Sequence, residues 1–173
     1  LRSGIVVVNT NPLYTPDEMR HQFKDSGCKA ILILSNFAHN LQKVIQDTEI
    51  KHVIISSMGD MLGTVKGTLV NFVVKYVKKM VPNYSLPGHH SFKEAISKGG
   101  KYNYTQVPID SKDIAFLQYT GGTTGVSKGA MLSHKNVISN VIQVSSWMDI
   151  MLEEGKEIVI SALPLYHIFA LVC

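Results

Sequence analysis

Three short aliphatic runs, separated by stretches of helical character, fill the first third of the chain and fix its structural class. Ile5-Val6-Val7-Val8, Ala30-Ile31-Leu32-Ile33-Leu34 and His52-Val53-Ile54-Ile55-Ser56 are rich in β-branched residues and read as buried strands. Between the first two, Thr15-Pro16-Asp17-Glu18 spells a capping box. The Thr15 oxygen accepts from the backbone of residue 18, Glu18 reaches back, and Pro16 takes the first helical position, where its missing N–H costs nothing. That helix is expected to run to about Ser26, with Gly27 adopting the left-handed conformation that ends it. Ser35 is placed to cap a second helix carrying Phe37, Leu41, Val44 and Ile45 on one face. Strand–helix–strand–helix–strand with short links predicts an α/β fold, a parallel sheet covered by helices.

Residues 58–110 break that rhythm. Leu69, Val70, Val73, Val74, Val77, Met80 and Val81 form a helical stripe ended by Pro82, with Lys75, Lys78 and Lys79 on the polar side. Asn83 to Asn103 is rich in Gly, Ser, His and Tyr and reads as irregular connection. The α/β pattern returns with a strand at Ile114–Tyr119, a Gly/Thr-rich loop from Thr120 to Gly129, and a helix after Ser133. Val137, Val141, Val144 and Met148 mark one face of that helix, and Ile158–Leu163 reads as a further strand stopped by Pro164. The expected organisation is therefore a βαβαβ segment over 1–57, a helix plus connection over 58–110, and a strand–loop–helix–strand segment over 111–173. All three are expected to be parts of one incomplete domain, since residue 1 is Leu and the chain stops at Cys173 inside an apolar stretch.

Composition narrows the function. With 17% charged residues and 45% hydrophobic ones, the chain is too apolar to be a solvated, disordered segment. Two cysteines, Cys28 and Cys173, are too few for a disulfide scaffold or a four-thiolate zinc site. A net charge of +4 is small and dispersed, which argues against nucleic acid as a partner. No secretory segment stands out, and the tract Ile158–Cys173 is shorter than the ~20 residues that span a bilayer. A cytoplasmic setting is expected.

Tyr119-Thr120-Gly121-Gly122-Thr123-Thr124-Gly125-Val126-Ser127-Lys128-Gly129 is the most informative stretch. Its four glycines let backbone amides approach an anion, its threonines add hydroxyl donors, and Lys128 supplies a compact positive charge. That mixture builds a phosphate-binding loop. It departs from the Walker pattern, since Gly129 follows Lys128 where a hydroxyl residue belongs. Gly125-Val126-Ser127-Lys128-Gly129 also matches the G-x-S-x-G elbow of α/β-hydrolases, which would make Ser127 a nucleophile. The elbow needs its serine directly off a strand, whereas the apolar run here ends at Tyr119. A non-catalytic nucleotide-binding module is the other alternative.

The same eleven residues resemble the nucleotide loop of the adenylate-forming (AMP-binding, acyl-CoA synthetase) family. The resemblance extends over essentially the whole chain. Val8-Asn9-Thr10-Asn11-Pro12-Leu13-Tyr14-Thr15-Pro16-Asp17-Glu18 is similar to the family's early strand-to-helix crossover, and Leu163-Pro164-Leu165-Tyr166-His167-Ile168-Phe169 to a later block. The stretch Asn71-Phe72-Val73-Val74-Lys75-Tyr76 looks closest to the bacterial long-chain fatty-acid–CoA ligase branch. Family members often carry Pro where this chain has Ser127, a mild departure in a loop that binds through its backbone.

The resemblance implies the partial N-terminal region of an enzyme that activates a fatty acid with ATP and Mg²⁺, then transfers it to CoA. It assigns the loop from Tyr119 to Gly129 to nucleotide phosphates, with Thr123, Thr124 and Lys128 on the β- and γ-phosphates. Thr120 is implied as a Mg²⁺ contact and His167 as a residue lining the acyl and adenylate pocket. The family's acidic Mg²⁺ ligand, ribose-binding Asp and mobile lysine domain would lie beyond Cys173, so this chain alone is expected to be inactive.

The remaining candidates are weaker. His89-His90 are adjacent, point apart, and read as surface residues of a loop rather than metal ligands. Cys28 enters a buried strand and reads as a packing thiol. The Leu69–Val81 helix fits both core packing and an interfacial helix on an anionic membrane; fatty-acid chemistry adds weight to peripheral contact with the inner face of the membrane.

Overall fold

The computed structural model describes residues 1–122 and 125–149, together with positions 153, 155, 156, 158, 164 and 166. Residues 159–163 of the strand expected at Ile158–Leu163, and the residues Thr123, Thr124 and His167, lie outside the described residues. The chain divides into two units, Pro12–Thr105 and Leu1–Asn11 with Gln106–Cys173.

The capping box forms as the sequence dictates. Thr15 caps α1 (Pro16–Ser26), its backbone N–H donating to Glu18 Oε2 at 2.8 Å and its hydroxyl at 2.7 Å. Those bonds hold the Glu18 carboxyl below its usual range, the Thr15 hydroxyl being the larger cause. At the other end Gly27 takes φ 60°, the left-handed conformation expected of it. β2 (Ala30–Leu34), α2 (Ala38–Gln42), a 3₁₀ turn (Ile45–Asp47) and β3 (His52–Ser56) follow. α2 is shorter than its apolar stripe suggests, and it begins after Phe37 with no side-chain cap, so Ser35 is not its N-cap.

Strands β2 and β3 pair in parallel, Ile31 with Val53 and Ile33 with Ile55, which puts these four residues on one face. Ile33, Val53 and Ile55 on that face join Met19 and Phe23 of α1, Leu41 of α2, and Val44 in one core. Met19, Leu41 and Val44 are completely enclosed, each contributing about 1.5–3 kcal/mol of apolar burial. Cys28 packs against this core, and its partial burial raises the thiol pKa, as a packing role predicts.

The helix expected over Leu69–Val81 is displaced. α3 (Thr64–Phe72) starts five residues earlier and passes into a π-helical turn, Val73–Val77. Gly67 is its one buried residue, facing Gly59 so closely that a Cβ on either would collide with the other's carbonyl oxygen. The apolar stripe is split: Leu69 at 63%, Val77 at 63% and Met80 at 53% are exposed, as is Phe72 beside it, whereas Val70, Val73, Val74 and Val81 are half-buried. Part of the expected irregular connection is ordered structure. His90–Ser91 forms β4, parallel to β3, so the sheet order is β2-β3-β4, and α4 (Phe92–Gly99) follows with Ser91 accepting from the Glu94 amide.

In the other unit β1 (Val7–Asn9) pairs in parallel with β5 (Ile114–Gly122), Val7 opposite Phe116. The βαβαβ run expected over 1–57 is thus divided between two sheets, because β1 finds its partner 109 positions away rather than in β2. The architecture remains α/β, and among the described residues every strand pairing is parallel save that of β5 with its other neighbour. That neighbour is β6 (Gly125–Ser133), giving the order β1-β5-β6. Ser133 then caps α5 (His134–Met148) in a second capping box with Asn136. Val137, Val144 and Met148 are half-buried on the expected face, whereas Val141 is exposed.

Candidate functional site

The Gly/Thr-rich stretch does not begin where the apolar strand ends. β5 continues through Tyr119, Thr120, Gly121 and Gly122, and β6 opens at Gly125, so the expected loop is largely the tip of a β-hairpin. The physical reason is the partner strand: small and β-branched residues pair readily once β6 supplies a ladder. Across it Tyr119 faces Gly129, Thr120 faces Lys128, and Gly122 faces Gly125, with an irregularity between Thr120 and Gly122.

Directly opposed residues share a face, with Cβ atoms about 4.5–5.5 Å apart. Thr120 and Lys128 therefore stand side by side, both exposed, a hydroxyl beside an ammonium. Neither side chain has a hydrogen-bond or ion-pair partner among the described residues. On the adjacent pair the Tyr119 ring lies over Gly129, and a Cβ added there would sit 3.0 Å from Cε2 and Cζ of the ring. Tyr119 is buried, which fixes that part of the hairpin. Val126 is exposed and Ser127 half-exposed.

Ser127 lies inside β6, with α5 beginning only at His134. A nucleophile elbow needs the sharp strand-to-helix turn that exposes the serine oxygen. A serine within an antiparallel strand lacks that turn, and the hydrolase reading is dropped.

One residue unmarked by the sequence reading, Gln118, supports the hairpin. Gln118, 8% exposed, accepts from Asn9 Nδ2 at 3.3 Å and donates from Nε2 to the Tyr166 carbonyl at 3.4 Å. It therefore ties β1 and the residue before His167 to the strand that carries Thr120. A lone glutamine in an apolar strand is the signal that marks such a residue, since a buried amide needs partners.

Among the described residues there is no group of three or more His, Cys, Asp or Glu able to hold a metal. Mg²⁺ is commonly bound through one or two protein oxygens plus substrate phosphates, and the exposed Thr120 hydroxyl, without a partner among the described residues, fits a single such contact. His89 Nδ1 donates to the Leu86 carbonyl at 2.7 Å, and His90 stands in β4 near Glu94 rather than in a loop.

Comparison with known proteins identifies the family. The chain is 57% identical over 171 residues to the long-chain-fatty-acid–CoA ligase of Salmonella typhimurium, covering 99% of this chain and 30% of that protein. It is 53% identical to the enzyme of the same name from Haemophilus influenzae, covering 99% of this chain and 31% of that one. The crystal structure of ATP-bound MatB from Rhodopseudomonas palustris shares the fold, with a TM-score of 0.65 and 23% identity over 99% of this chain and 27% of its own. The chain thus spans about 30% of the length of the curated relatives it matches. The AMP-binding enzyme profile matches residues 1–173, and the chain belongs to the AMP-binding enzyme family.

Proposed function

We propose that this chain is part of a long-chain fatty-acid–CoA ligase, an acid–thiol ligase that uses ATP. The observation that carries the reading is the pairing of Thr120 with Lys128 at the tip of a Gly-rich hairpin in an AMP-binding chain. The names of the bacterial relatives support the substrate class.

A fatty carboxylate is a poor acylating agent because its leaving group would be oxide. Attack of the carboxylate oxygen on the α-phosphorus of ATP forms the acyl–adenylate bond and breaks the bond to pyrophosphate. The sulfur of CoA then attacks the acyl carbon, AMP leaves with the bonding electron pair, and the thiol proton passes to solvent. The first step moves negative charge onto the departing pyrophosphate, so fixed donors and cations near those oxygens speed it. Lys128 supplies the positive charge, and Thr120 with the glycine backbone from Gly121 to Gly129 shapes the approach. Thr123, Thr124, Val126 and Ser127 complete the loop that touches phosphate oxygens, Tyr119 anchors it, and His167 lines the acyl and adenylate pocket. Mg²⁺, held through Thr120 and phosphate oxygens, would neutralise phosphate charge.

The test is acid-dependent exchange of pyrophosphate into ATP by the full-length protein. Lys128→Ala should lower exchange about 100-fold or more while leaving the fold intact. Exchange and ATP affinity both unchanged would refute the assignment of this hairpin. ATP binding without any exchange would favour a non-catalytic nucleotide-binding module.

The exposed face of α3 and its π-helical turn motivates a second element, peripheral contact with the inner, cytoplasmic face of an anionic membrane. Leu69, Phe72, Tyr76, Val77 and Met80 are exposed beside Lys75, Lys78 and Lys79. Among the described residues no helix is long and apolar enough to cross a membrane. Sedimentation with anionic vesicles should fall when the three lysines are neutralised; unchanged sedimentation would remove the membrane reading.

A further inference from the structure

At the carboxyl ends of β2 and β3 the chain leaves a half-enclosed cleft of about 90 Å³. Its walls come from four segments: Ser35 after β2, Ser57 and Met58 after β3, Asn71, Val74 and Lys75 on the α3–π-helix segment, and Val81 with Tyr84 beyond it. In open α/β sheets this is the end of the strands at which ligands are taken. A volume near three waters' share of liquid suits a small polar group rather than a nucleotide or an acyl chain.

The polar groups on these walls are unspent. Ser35 is only 6% exposed, yet its hydroxyl has no hydrogen-bond partner among the described residues. The hydroxyls of Ser57 and Tyr84 are likewise without partners among the described residues, although Tyr84 is fixed edge-on to the His89 ring at 6.3 Å. Lys75 pairs with no carboxylate among them, its ammonium resting 5.4 Å from the Tyr76 ring centroid.

The remaining polar wall is already committed. Asn71 accepts from the Gly59 amide at 2.8 Å and donates to Asp60 Oδ1 at 3.2 Å. Asp60, which is not on the wall, also receives the Ser57 amide at 2.7 Å and has Lys93 Nζ at 3.9 Å. Its charge is thus answered locally, and the cleft keeps a surplus of one cation and three hydroxyls. Met58, Val74 and Val81 supply apolar wall beside them.

We propose that this cleft binds a small oxyanion, a short organic carboxylate or inorganic phosphate, between Lys75 and the hydroxyls of Ser35, Ser57 and Tyr84. A single cation with hydroxyl donors favours an anion of low charge, since each donated bond to a charged oxygen is stronger than one to a neutral oxygen. The inference is independent of the hairpin reading, because none of its residues belongs to that hairpin.

Amide chemical-shift titration of the full-length protein with butyrate, butyramide and inorganic phosphate tests it. Saturable shifts at Ser35, Ser57 and Lys75 are expected with butyrate or with phosphate, and the stronger of the two identifies the source of the oxyanion. Lys75→Met should weaken that binding about tenfold or more, and Ser35→Ala severalfold. Lys66→Met, an equal loss of charge on α3 away from the cleft walls, should leave it within twofold. Absence of saturable shifts with both anions would overturn the proposal and leave a hydrated cleft only. Equal binding of butyramide, or full affinity in Lys75→Met, would overturn it as well. ATP–pyrophosphate exchange measured on the same variants reports separately on the hairpin.

Discussion

The contact between Tyr119 and Gly129 makes a prediction whose sign depends on one ring. A Cβ placed on Gly129 would meet Tyr119 Cε2 and Cζ at 3.0 Å and its hydroxyl oxygen at 3.2 Å. Ordinary carbon contacts lie at about 3.5–4.0 Å, so the ring must yield by roughly half an ångström. Tyr119 is buried and its neighbours Gln118 and Phe116 are too, which leaves little room for it to move. Overpacking of this kind costs about 1–3 kcal/mol, while replacing a strand glycine by alanine returns about 0.5–1 kcal/mol. Gly129→Ala should therefore destabilise the protein by a net of about 1 kcal/mol. In a Tyr119→Leu background the sign should reverse. Leucine ends at Cδ and lacks all three contacting atoms, so the same substitution should stabilise by up to about 0.5–1 kcal/mol. Urea unfolding of the four proteins, with a shared m-value, gives the coupling energy, expected at about 1–3 kcal/mol. A Gly129→Ala effect that is the same in both backgrounds would refute the argument, whatever its size.

Three further outcomes follow from single features. Gly67→Ala should destabilise by at least about 2 kcal/mol in chemical unfolding, because its Cβ meets a backbone carbonyl at Gly59 that cannot rotate away. Thr15→Ala should lower stability by about 1 kcal/mol at pH 7. Glu18 has a folded pKa below its unfolded value, so the stability it adds is present above the unfolded value and is lost as pH falls through the folded one. The difference between Thr15→Ala and wild type should accordingly shrink below about pH 4, and a constant difference down to pH 2 would count against the capping bond. Cys28 should react with iodoacetamide at pH 8 about tenfold more slowly than a free thiol, as read by peptide mass mapping, since burial raises its pKa.

Much of the local structure was legible because it is local. The capping box at Thr15, the start of a helix after Ser133, the Gly27 terminus, and strands β2 and β3 each follow from residues within one turn or one strand. Pairing over distance was not legible. Nothing in Val7-Val8-Asn9 states that its partner is Phe116-Leu117-Gln118 rather than Ile31-Leu32-Ile33. The hairpin at the candidate site was misjudged for a related reason: Gly and Thr are abundant in loops, and only the opposing strand makes them a ladder. The Ser91-Phe92-Lys93-Glu94 capping signature did announce α4, but its surroundings, rich in Gly and His, hid it. The α3 stripe has helical periodicity, yet periodicity says which side is apolar and not what will cover it. At the site, the residue types Thr120 and Lys128 were readable, while their standing side by side and the support from Gln118 required the register.

The pairing of β1 with β5 also sets a timetable for biosynthesis. Their contacting residues are separated by 109 positions, and at about 5–20 residues per second a ribosome needs about 5–20 s to deliver the second after the first. Every strand pairing inside Pro12–Thr105 is completed within that interval, so this unit is free to fold while Val7-Val8-Asn9 still lacks its neighbour. During those seconds the nascent chain carries an unpaired apolar strand ahead of a finished unit, a template for association with another chain. The step that ends this exposure is the emergence of Ile114–Gly122, the strand that also carries Thr120. Arrival of the strand that carries Thr120 and protection of the first strand are thus one event in the life of the polypeptide.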